Sequence, residues 1–385
     1  MKAIRHWIDD VFAPIKPLPV GIYQSQSAPE AEKPYRLHLR LEHDGKGLLI
    51  VNAKTVLHLN QTGAEFAYHL IQGTQQEEAV KRISNRYKVG RDEALQDYLE
   101  LNEKISMLVS TEDVDPESFF EMDRRDPYST EMSAPLRLDC ALTYQSAAEG
   151  FSKMAPVDRV KRELLTDEWK TILDKAWQAG IPHVIFTGGE PTLRPDLIDL
   201  IQYSEKQGMV SGLLTDGLRL AETKYLHEIL QSGLDHVMLL LDQTDEQAWH
   251  ALRDLLCEDI FVTVHITITR KNADKTGSLL ARLKEMGVKS ISISADDTGL
   301  RNELKAAQQS AADLQLSLIW DLPVPYTKFH PISLELSEDS KPIDGAGKAW
   351  LYVEPDGDVL PGQGIVKVLG NLLTDSWEMV WKKTG

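Results

Sequence analysis

Cysteine is nearly absent from this sequence. The 385 residues include only Cys140 and Cys257, which stand far apart in the chain. Two isolated cysteines do not make a disulfide framework, so the sequence does not fit the class of small disulfide-stabilised secreted domains. The eleven histidines form no His-x3-His or similar cluster. The sequence therefore offers no recognisable metal site made of cysteine or histidine.

Long apolar runs and an excess of basic residues are also missing. No stretch approaches the roughly 20 uninterrupted apolar residues of a membrane span. Residues 1–20 lack the apolar centre and cleavage site of a secretion signal. Lysine and arginine number 42 against 59 acidic residues, a net charge of −17, whereas nucleic acids and anionic membranes attract basic surfaces. We therefore expect a soluble, cytoplasmic protein with no nucleic-acid or membrane partner.

The chain is long enough for two or three domains of about 100 to 200 residues each. In residues 1–110, apolar runs predict strands at 35–41, 47–51 and 55–59, and helical periods follow at 61–72, 75–87 and 91–108. A hairpin, a third strand and three helices predict a small winged-helix-like α+β domain. Residues 111–134 lack a sustained apolar period and predict a linker.

Beyond the linker, strand and helix patterns alternate. Strand-length apolar runs stand at 136–144, 183–187, 209–215, 236–242, 261–267 and 289–294. Strands that are joined by helices form parallel sheets, so residues 135–330 predict an α/β domain, a closed or partial (β/α)6 barrel. Ligands in such folds bind at the carboxyl ends of the strands.

A Gly-Gly-Glu-Pro turn at residues 188–191 occupies such a strand end. Its glycines allow close approach of the backbone to a ligand, and Glu190 offers a carboxylate to an ammonium group. The strand, turn and helix start around this motif resemble the radical SAM family. Two further turns, Thr215-Asp216-Gly217 and Leu239-Leu240-Leu241-Asp242, resemble the family's Thr-Asn-Gly and Ser-Leu-Asp runs.

The resemblance covers about residues 136–294 and implies a barrel of the radical SAM type with S-adenosylmethionine as its cofactor. The residues that would bind the cofactor are Gly188, Gly189, Glu190, Pro191, Thr215, Asp216 and Asp242.

The family's iron-sulfur ligands are missing. The resemblance implies a Cys-x3-Cys-x2-Cys loop after the first barrel strand, but the aligned positions are Ser146, Gly150 and Lys153. Hydroxyl, hydrogen and ammonium groups do not replace thiolates on iron. We therefore expect no 4Fe-4S cluster, and no radical chemistry that depends on it. Cys140 and Cys257 are each predicted to be small buried hydrophobic residues.

Two flanking segments carry weaker resemblances. Residues 35–110, with Asn60-Gln61-Thr62-Gly63-Ala64, resemble the PqqD-like family, whose members bind the leader of a precursor peptide. Such binding would add a peptide strand to residues 55–59 beside the 91–108 helix. The candidate contacts are Val56, His58, Leu95 and Tyr98, and the alternative is that they form the core of the small domain.

The tail at residues 331–385 resembles the SPASM extension of peptide-modifying radical SAM enzymes. Its predicted hairpin turns at Asp356-Gly357. The following Pro361-Gly362-Gln363-Gly364 contains none of the cysteines that the extension normally carries there.

Together these resemblances favour a non-catalytic relative of radical SAM enzymes that binds a precursor peptide or a catalytic homologue. One alternative is an S-adenosylmethionine-dependent enzyme of non-radical chemistry, with Asp216, Asp242 or His265 as its base. The other is an active radical enzyme whose cluster ligands come from a partner.

Overall fold

The computed structural model describes residues 18–28, 35–52, 55–110, 132–146, 157–319 and 345–384. They form two compact units, one ending at Met132 and one beginning at Ser133. Most of the predicted linker, at 111–131, and the predicted boundary at residue 330 lie outside the described residues. Across the described ranges, no helix combines the length and apolar character needed to cross a membrane.

The first unit contains an antiparallel sheet with the strand order β1-β2-β3-β4. The strands are β1 (Gly21–Gln26), β2 (Arg36–Leu41), β3 (Gly47–Val51) and β4 (Thr55–Leu59), and the helices are α1 (Gln61–Ile71), α2 (Gln76–Tyr87) and α3 (Arg91–Ser110). The three predicted strands and three predicted helices are confirmed. Strand β1 was not predicted, and it makes β4 and β1 the two edges of this sheet.

Alternation along the strands determines which side chains of the first unit meet the helices. Leu37, Leu39 and Leu41 of β2 are buried in one cluster with Ala64 and Ala67 of α1. Burial of alternate apolar residues is expected where one face of a sheet packs on a helix.

The second unit is built on a single ten-stranded sheet. Its strands are β5 (Arg137–Thr143), β6 (His183–Gly188), β7 (Val210–Thr215), β8 (His236–Leu240), β9 (Phe261–Ile268), β10 (Ser290–Ala295), β11 (Ser317–Leu318), β12 (Trp350–Val353), β13 (Asp358–Leu360) and β14 (Gly370–Asn371). Its helices are α4 (Thr166–Ala179), α5 (Leu197–Gln207), α6 (Thr223–Leu230), α7 (Glu246–Leu255), α8 (Thr276–Glu285), α9 (Arg301–Asp313) and α10 (Trp377–Trp381).

The strands from β5 to β11 lie in chain order and are parallel, and β12 adds to the free side of β5, also parallel. Helices alternate with the parallel strands, so the predicted α/β fold is confirmed. No pairing closes the sheet within the described ranges, which agrees with the partial form of the predicted barrel and not with the closed form. One physical reason is that the hairpin of β12 and β13 occupies the edge of β5, which a closed barrel would need.

The sheet of the second unit has two different faces. Leu138, Phe186, Leu213 and Val264 belong to the large core that also contains the apolar faces of the helices. Ile185, Leu214 and Met238 form a small separate cluster on the opposite face, as the two-residue period of strands requires. We call this opposite side the inner face.

The tail belongs to the same compact unit as the sheet. Its hairpin turns at Gly357, which has a φ of 90° and donates its amide to the Glu354 carbonyl at 2.9 Å. Lys175 of α4 donates its ammonium to the carbonyls of Leu372 at 2.7 Å, Leu373 at 3.1 Å and Asp375 at 2.9 Å. These charge-assisted bonds hold the end of the tail against α4.

Candidate functional site

The two glycines of the Gly-Gly-Glu-Pro turn lie against the end of β5 and the residues that follow it. The Gly189 amide donates to the Thr143 carbonyl, and the Glu190 amide donates to the Gln145 carbonyl, both at 2.7 Å. A Cβ at Gly188 would lie 2.2 Å from the Thr143 oxygen, and one at Gly189 would lie 2.0 Å from the Gln145 oxygen. Gly188 also has a φ of 120°, which favours glycine. The glycines are therefore required for packing of the backbone on itself.

Glu190 places its carboxylate among donors from two segments, its own turn and the end of β7. The side chain is 3% exposed. Its Oε1 accepts from the Thr192 amide at 3.0 Å, the Thr192 hydroxyl at 2.5 Å and the Thr215 hydroxyl at 2.8 Å. Its Oε2 accepts from the Asp216 amide at 2.7 Å. The structure therefore brings Glu190, Thr215 and Asp216 together, and it adds Thr192, which the sequence did not single out.

Burial dominates the electrostatics of this carboxyl group. Burial first and the charge of the nearby Asp216 second raise the pKa of Glu190 to a net value of about 7, while hydrogen bonds from Thr192 and Asp216 act in the opposite direction. The group is thus poised to hold or release a proton near neutrality. A carboxylate oxygen has two acceptor positions, and Oε2 uses only one of them within the site.

A side chain from the next strand end supports the turn. Pro191 begins a short 3-10 segment, Pro191–Leu193. The Arg219 guanidinium donates to the Thr192 carbonyl, and its carbon lies 4.0 Å from the centre of the Tyr225 ring. Arg219 was missed from the sequence because its contact depends on how two strand ends meet in space.

Asp242 stands apart from this network. It is exposed, and its Oδ1 accepts from the amide and hydroxyl of Thr244 at 2.8 and 2.7 Å. These bonds form a local turn of the kind that aspartate commonly makes. The hydrogen bonds of Asp242 in the described structure do not connect it to Glu190.

His265 is part of a hydroxyl-rich cluster on β9 and β10. Its Nδ1 lies 3.0 Å from the Ser292 hydroxyl, and its Nε2 lies 2.9 Å from that of Ser294. The distances suit a serine nucleophile and its base. Burial, however, lowers the pKa of His265 to about 3, and no carboxylate contacts the ring among the described residues. Because the imidazolium is strongly disfavoured, this cluster is a neutral hydrogen-bonding surface rather than a hydrolytic pair.

The two cysteines lie in different environments. Cys140 is fully buried in the helix-side core, where burial and then Asp139 raise the pKa of its thiol. Cys257 is exposed, so the prediction that it is buried is wrong. Its amide donates to the Asp254 carbonyl in the turn after α7, and such turns lie at the surface. Of the aligned ligand positions, Gly150 and Lys153 lie outside the described residues.

The candidate peptide contacts lie on two elements of the first unit. Val56 and His58 are half-buried on the edge strand β4. Tyr98 is buried, with its ring centre 5.7 Å from that of Phe66, and Leu95 packs on the same helical cluster. The residues of α3 that pack with the sheet cluster are instead Leu101, Ile105, Leu108 and Val109.

A carboxylate group in the tail hairpin ties the tail to the chain after β5. Glu354, Asp356 and Asp358 each place an oxygen within 4.8 Å of the others. Glu354 accepts from the Tyr144 hydroxyl at 2.9 Å and pairs with Arg159. The charge of Glu354 is therefore compensated by Arg159 and by the hydrogen bond from Tyr144.

Comparisons with known proteins agree with this architecture. The sequence model of the radical SAM superfamily matches residues 140–294. The PqqA peptide cyclase of Streptomyces rochei is 29% identical over 235 residues, which cover 54% of this chain and 63% of that protein. That of Gluconobacter oxydans (strain 621H) is 26% identical over 262 residues, which cover 60% and 70%. This chain thus spans less than two thirds of the length of the Streptomyces relative.

Solved structures show the same fold at low identity. The structure of Streptococcus suis SuiB bound to S-adenosylmethionine has a TM-score of 0.61 and 16% identity, covering 91% of this chain and 87% of that one. SuiB bound to its precursor peptide SuiA has a TM-score of 0.58 and 16% identity, covering 89% and 86%. The matched residues and the two cyclases together support a relationship between this chain and the radical SAM superfamily.

Proposed function

We propose that this protein binds S-adenosylmethionine and a peptide on a radical SAM scaffold, holds no iron-sulfur cluster, and acts in peptide maturation as a binding protein. The placement of the two cysteines carries this proposal. Cys140 is buried on the helix side of β5, and Cys257 follows α7. Neither thiol lies in the loop after β5, and three thiolates are needed there. The residues of this chain therefore do not fit a 4Fe-4S cluster.

The residues at the turn fit the amino-acid end of S-adenosylmethionine, although the chain does not fit a cluster. Glu190 is a buried carboxylate with a remaining acceptor position on Oε2, at the carboxyl ends of parallel strands. An ammonium group is the complement of such an oxygen. When bound, the ligand would supply a sulfonium centre that can transfer a methyl group. The protein's own contribution is to fix the amino-acid end through Glu190, Thr215 and Asp216.

The proposed peptide partner is supported by the names of the relatives, which include two PqqA peptide cyclases and SuiB bound to a precursor peptide. Strand β4 is an edge of its sheet, and an edge offers unpaired backbone groups to an added strand. Val56 and His58 lie two residues apart on one face of β4, while Leu57 and Leu59 enter the core. In this proposal Leu95 and Tyr98 contribute by fixing α3.

Calorimetry with S-adenosylmethionine tests the cofactor part. We expect saturable binding that weakens at least tenfold in Glu190→Ala, because a charged hydrogen bond contributes about 1.5 to 3 kcal/mol. A lack of saturable heat with the wild-type protein would refute the pocket.

Iron and sulfide analysis after anaerobic reconstitution tests the proposal that the protein holds no iron-sulfur cluster and does not catalyse a reaction. We expect no stoichiometric iron and no products from labelled S-adenosylmethionine. Iron at stoichiometry with cleavage of the ligand would instead establish an active radical enzyme. Products formed equally in air, without iron, would establish a non-radical enzyme.

Peptide binding is tested by fluorescence anisotropy with labelled PqqA and SuiA peptides. We expect Val56→Lys, which places a charge on β4, to weaken binding of whichever peptide binds. Gln26→Lys places the same charge on the opposite edge strand β1 and serves as the matched control. Equal effects of the two substitutions would contradict binding at β4.

A further inference from the structure

The hydroxyl of Thr187 has no hydrogen-bond partner among the described residues. The residue is fully buried, with 0% of its surface exposed. Buried hydroxyl groups in native proteins are nearly always paired, because leaving one unpaired forfeits the hydrogen bonds that it made with water. An orphaned hydroxyl beside a candidate ligand site therefore calls for a partner that the described residues do not supply.

Alternation along β6 shows where this hydroxyl lies. Val184 and Phe186 belong to the helix-side core, and Ile185 belongs to the inner-face cluster with Leu214. Side chains two residues apart share a face of a strand, so Thr187 lies on the inner face with Ile185. It is also the last residue before the Gly-Gly-Glu-Pro turn, which places it at the carboxyl end of the sheet.

The other threonines around the turn behave differently. Thr143 donates its hydroxyl to Glu163 at 2.5 Å, and Thr192 and Thr215 donate theirs to Glu190 at 2.5 and 2.8 Å. Each of these hydroxyls is satisfied inside the protein. Thr187 is the exception among these four threonines, so its lack of a partner is not shared by the other threonines around the turn; the Tyr225 hydroxyl, beside Arg219, is a second buried hydroxyl without a partner among the described residues.

We propose that Thr187 contacts the ligand directly, with its hydroxyl bonded to the amino-acid end of S-adenosylmethionine beside Glu190. This inference rests on the proposed function and adds a residue to it. An α-ammonium group carries three donors. One is directed to Oε2 of Glu190 and a second to the oxygen of Thr187, which would satisfy both groups at once.

The test compares two ligands in two variants of the full chain. Thr187→Val keeps the shape and removes the hydroxyl, and Thr187→Ser keeps the hydroxyl. We expect Thr187→Val to bind S-adenosylmethionine about 5- to 30-fold more weakly, with Thr187→Ser close to wild type. Methylthioadenosine, which lacks the amino-acid end, should bind wild type and Thr187→Val equally.

Thermal unfolding without ligand gives the second readout. Because Thr187→Val removes an orphaned hydroxyl, its midpoint should equal or exceed that of the wild type. The control is Thr276→Val, which removes a buried hydroxyl that donates to the Asn272 carbonyl at 3.1 Å. Its midpoint should fall while its ligand affinity stays unchanged.

The outcomes separate the inference from the function on which it rests. If the wild type binds S-adenosylmethionine and Thr187→Val binds it equally well, the role of Thr187 is refuted and the pocket stands. If Thr187→Val weakens the binding of S-adenosylmethionine and of methylthioadenosine equally, or lowers the unfolding midpoint, Thr187 has a structural role and direct contact with the ligand is refuted. Failure of the wild type to bind S-adenosylmethionine refutes the pocket and the role of Thr187 together.

Discussion

Replacing Glu190 by glutamine should change how the stability of the second unit depends on pH. The pKa of Glu190 rises from an ordinary 4.5 to about 7, through burial first and the charge of Asp216 second. A carboxyl group with a raised pKa binds its proton more tightly in the folded than in the unfolded protein. Its contribution is therefore most favourable below pH 4.5, and it is lost as the pH rises to about 7.

The size of the effect follows from the two pKa values. One pKa unit corresponds to about 1.4 kcal/mol, so the full loss across the titration is about 3 kcal/mol. Between pH 5 and pH 8, where other acid effects are small, about 2 to 3 kcal/mol of this loss should appear. Glutamine does not titrate, and the hydrogen bonds that it loses with Thr192, Thr215 or Asp216 give an offset that is independent of pH.

Urea unfolding at several pH values measures this difference. Tryptophan fluorescence reports mainly on the second unit, because every tryptophan except Trp7 lies beyond Met132. From pH 5 to pH 8 we expect the free energy of unfolding of Glu190→Gln to rise relative to that of the wild type by about 2 to 3 kcal/mol. Because only the change of this stability difference with pH is compared, the pH-independent loss from the missing hydrogen bonds cancels.

Glu168→Gln provides a control of the opposite kind. A hydrogen bond from Arg162 and a second from the Leu165 amide lower the pKa of Glu168 to about 2. Its stabilising contribution is present above the unfolded pKa and is lost only as the pH falls through about 2, outside the measured range. The difference between Glu168→Gln and the wild type should thus stay constant. A constant difference for Glu190→Gln as well would refute the reasoning about burial.

Three further substitutions or reactions test the packing of the second unit. Gly189→Ala should destabilise it by about 3 kcal/mol in urea unfolding, since a Cβ would lie 2.0 Å from a carbonyl oxygen; a loss below 1 kcal/mol would contradict the close approach. Gly212→Ala should cost about 1 to 3 kcal/mol, because a Cβ would lie 2.1 Å from the His236 ring. The double variant Gly212→Ala/His236→Ala should lose less stability than the sum of the two single variants. Losses that simply add would argue against contact between the Cβ and the His236 ring. Thiol labelling of the native protein should modify Cys257 but not the buried Cys140, which should react only after unfolding.

Much of the architecture could be predicted because it depends on local patterns. Apolar runs of strand length and amphipathic helical periods gave the parallel strands from β5 to β10 nearly to the residue. Strand β1 was missed because it has little apolar content, and its sequence Gly-Ile-Tyr-Gln-Ser-Gln shows no strong alternation. The strand patterns allowed both the closed and the partial barrel, since the difference depends on which strand occupies the free side of β5.

The candidate site was predictable where one segment supplies it and not where several segments meet. The turn at Glu190 could be found from its glycines, and Thr215 and Asp216 from the next strand end. The roles of Thr192, Arg219 and Thr187 depend on distances and burial that only the packed sheet defines. Asp242, like Asp216, follows a predicted strand in a motif that resembles the family, but in the structure it forms a local exposed turn.

The glycines and the glutamate of the Gly-Gly-Glu-Pro turn have different structural explanations. The glycines are explained by the backbone contacts with residues 143 and 145, so they indicate the fold and say little about a ligand. Glu190 is not explained in that way. A neutral side chain could accept the same bonds from Thr192 and Thr215 without the cost of burying a charge, about 3 kcal/mol above neutral pH. Groups that reduce stability in this manner are typical of binding and catalytic sites. The charge of Glu190, more than the glycines beside it, therefore supports the proposal that this turn binds a cationic ligand.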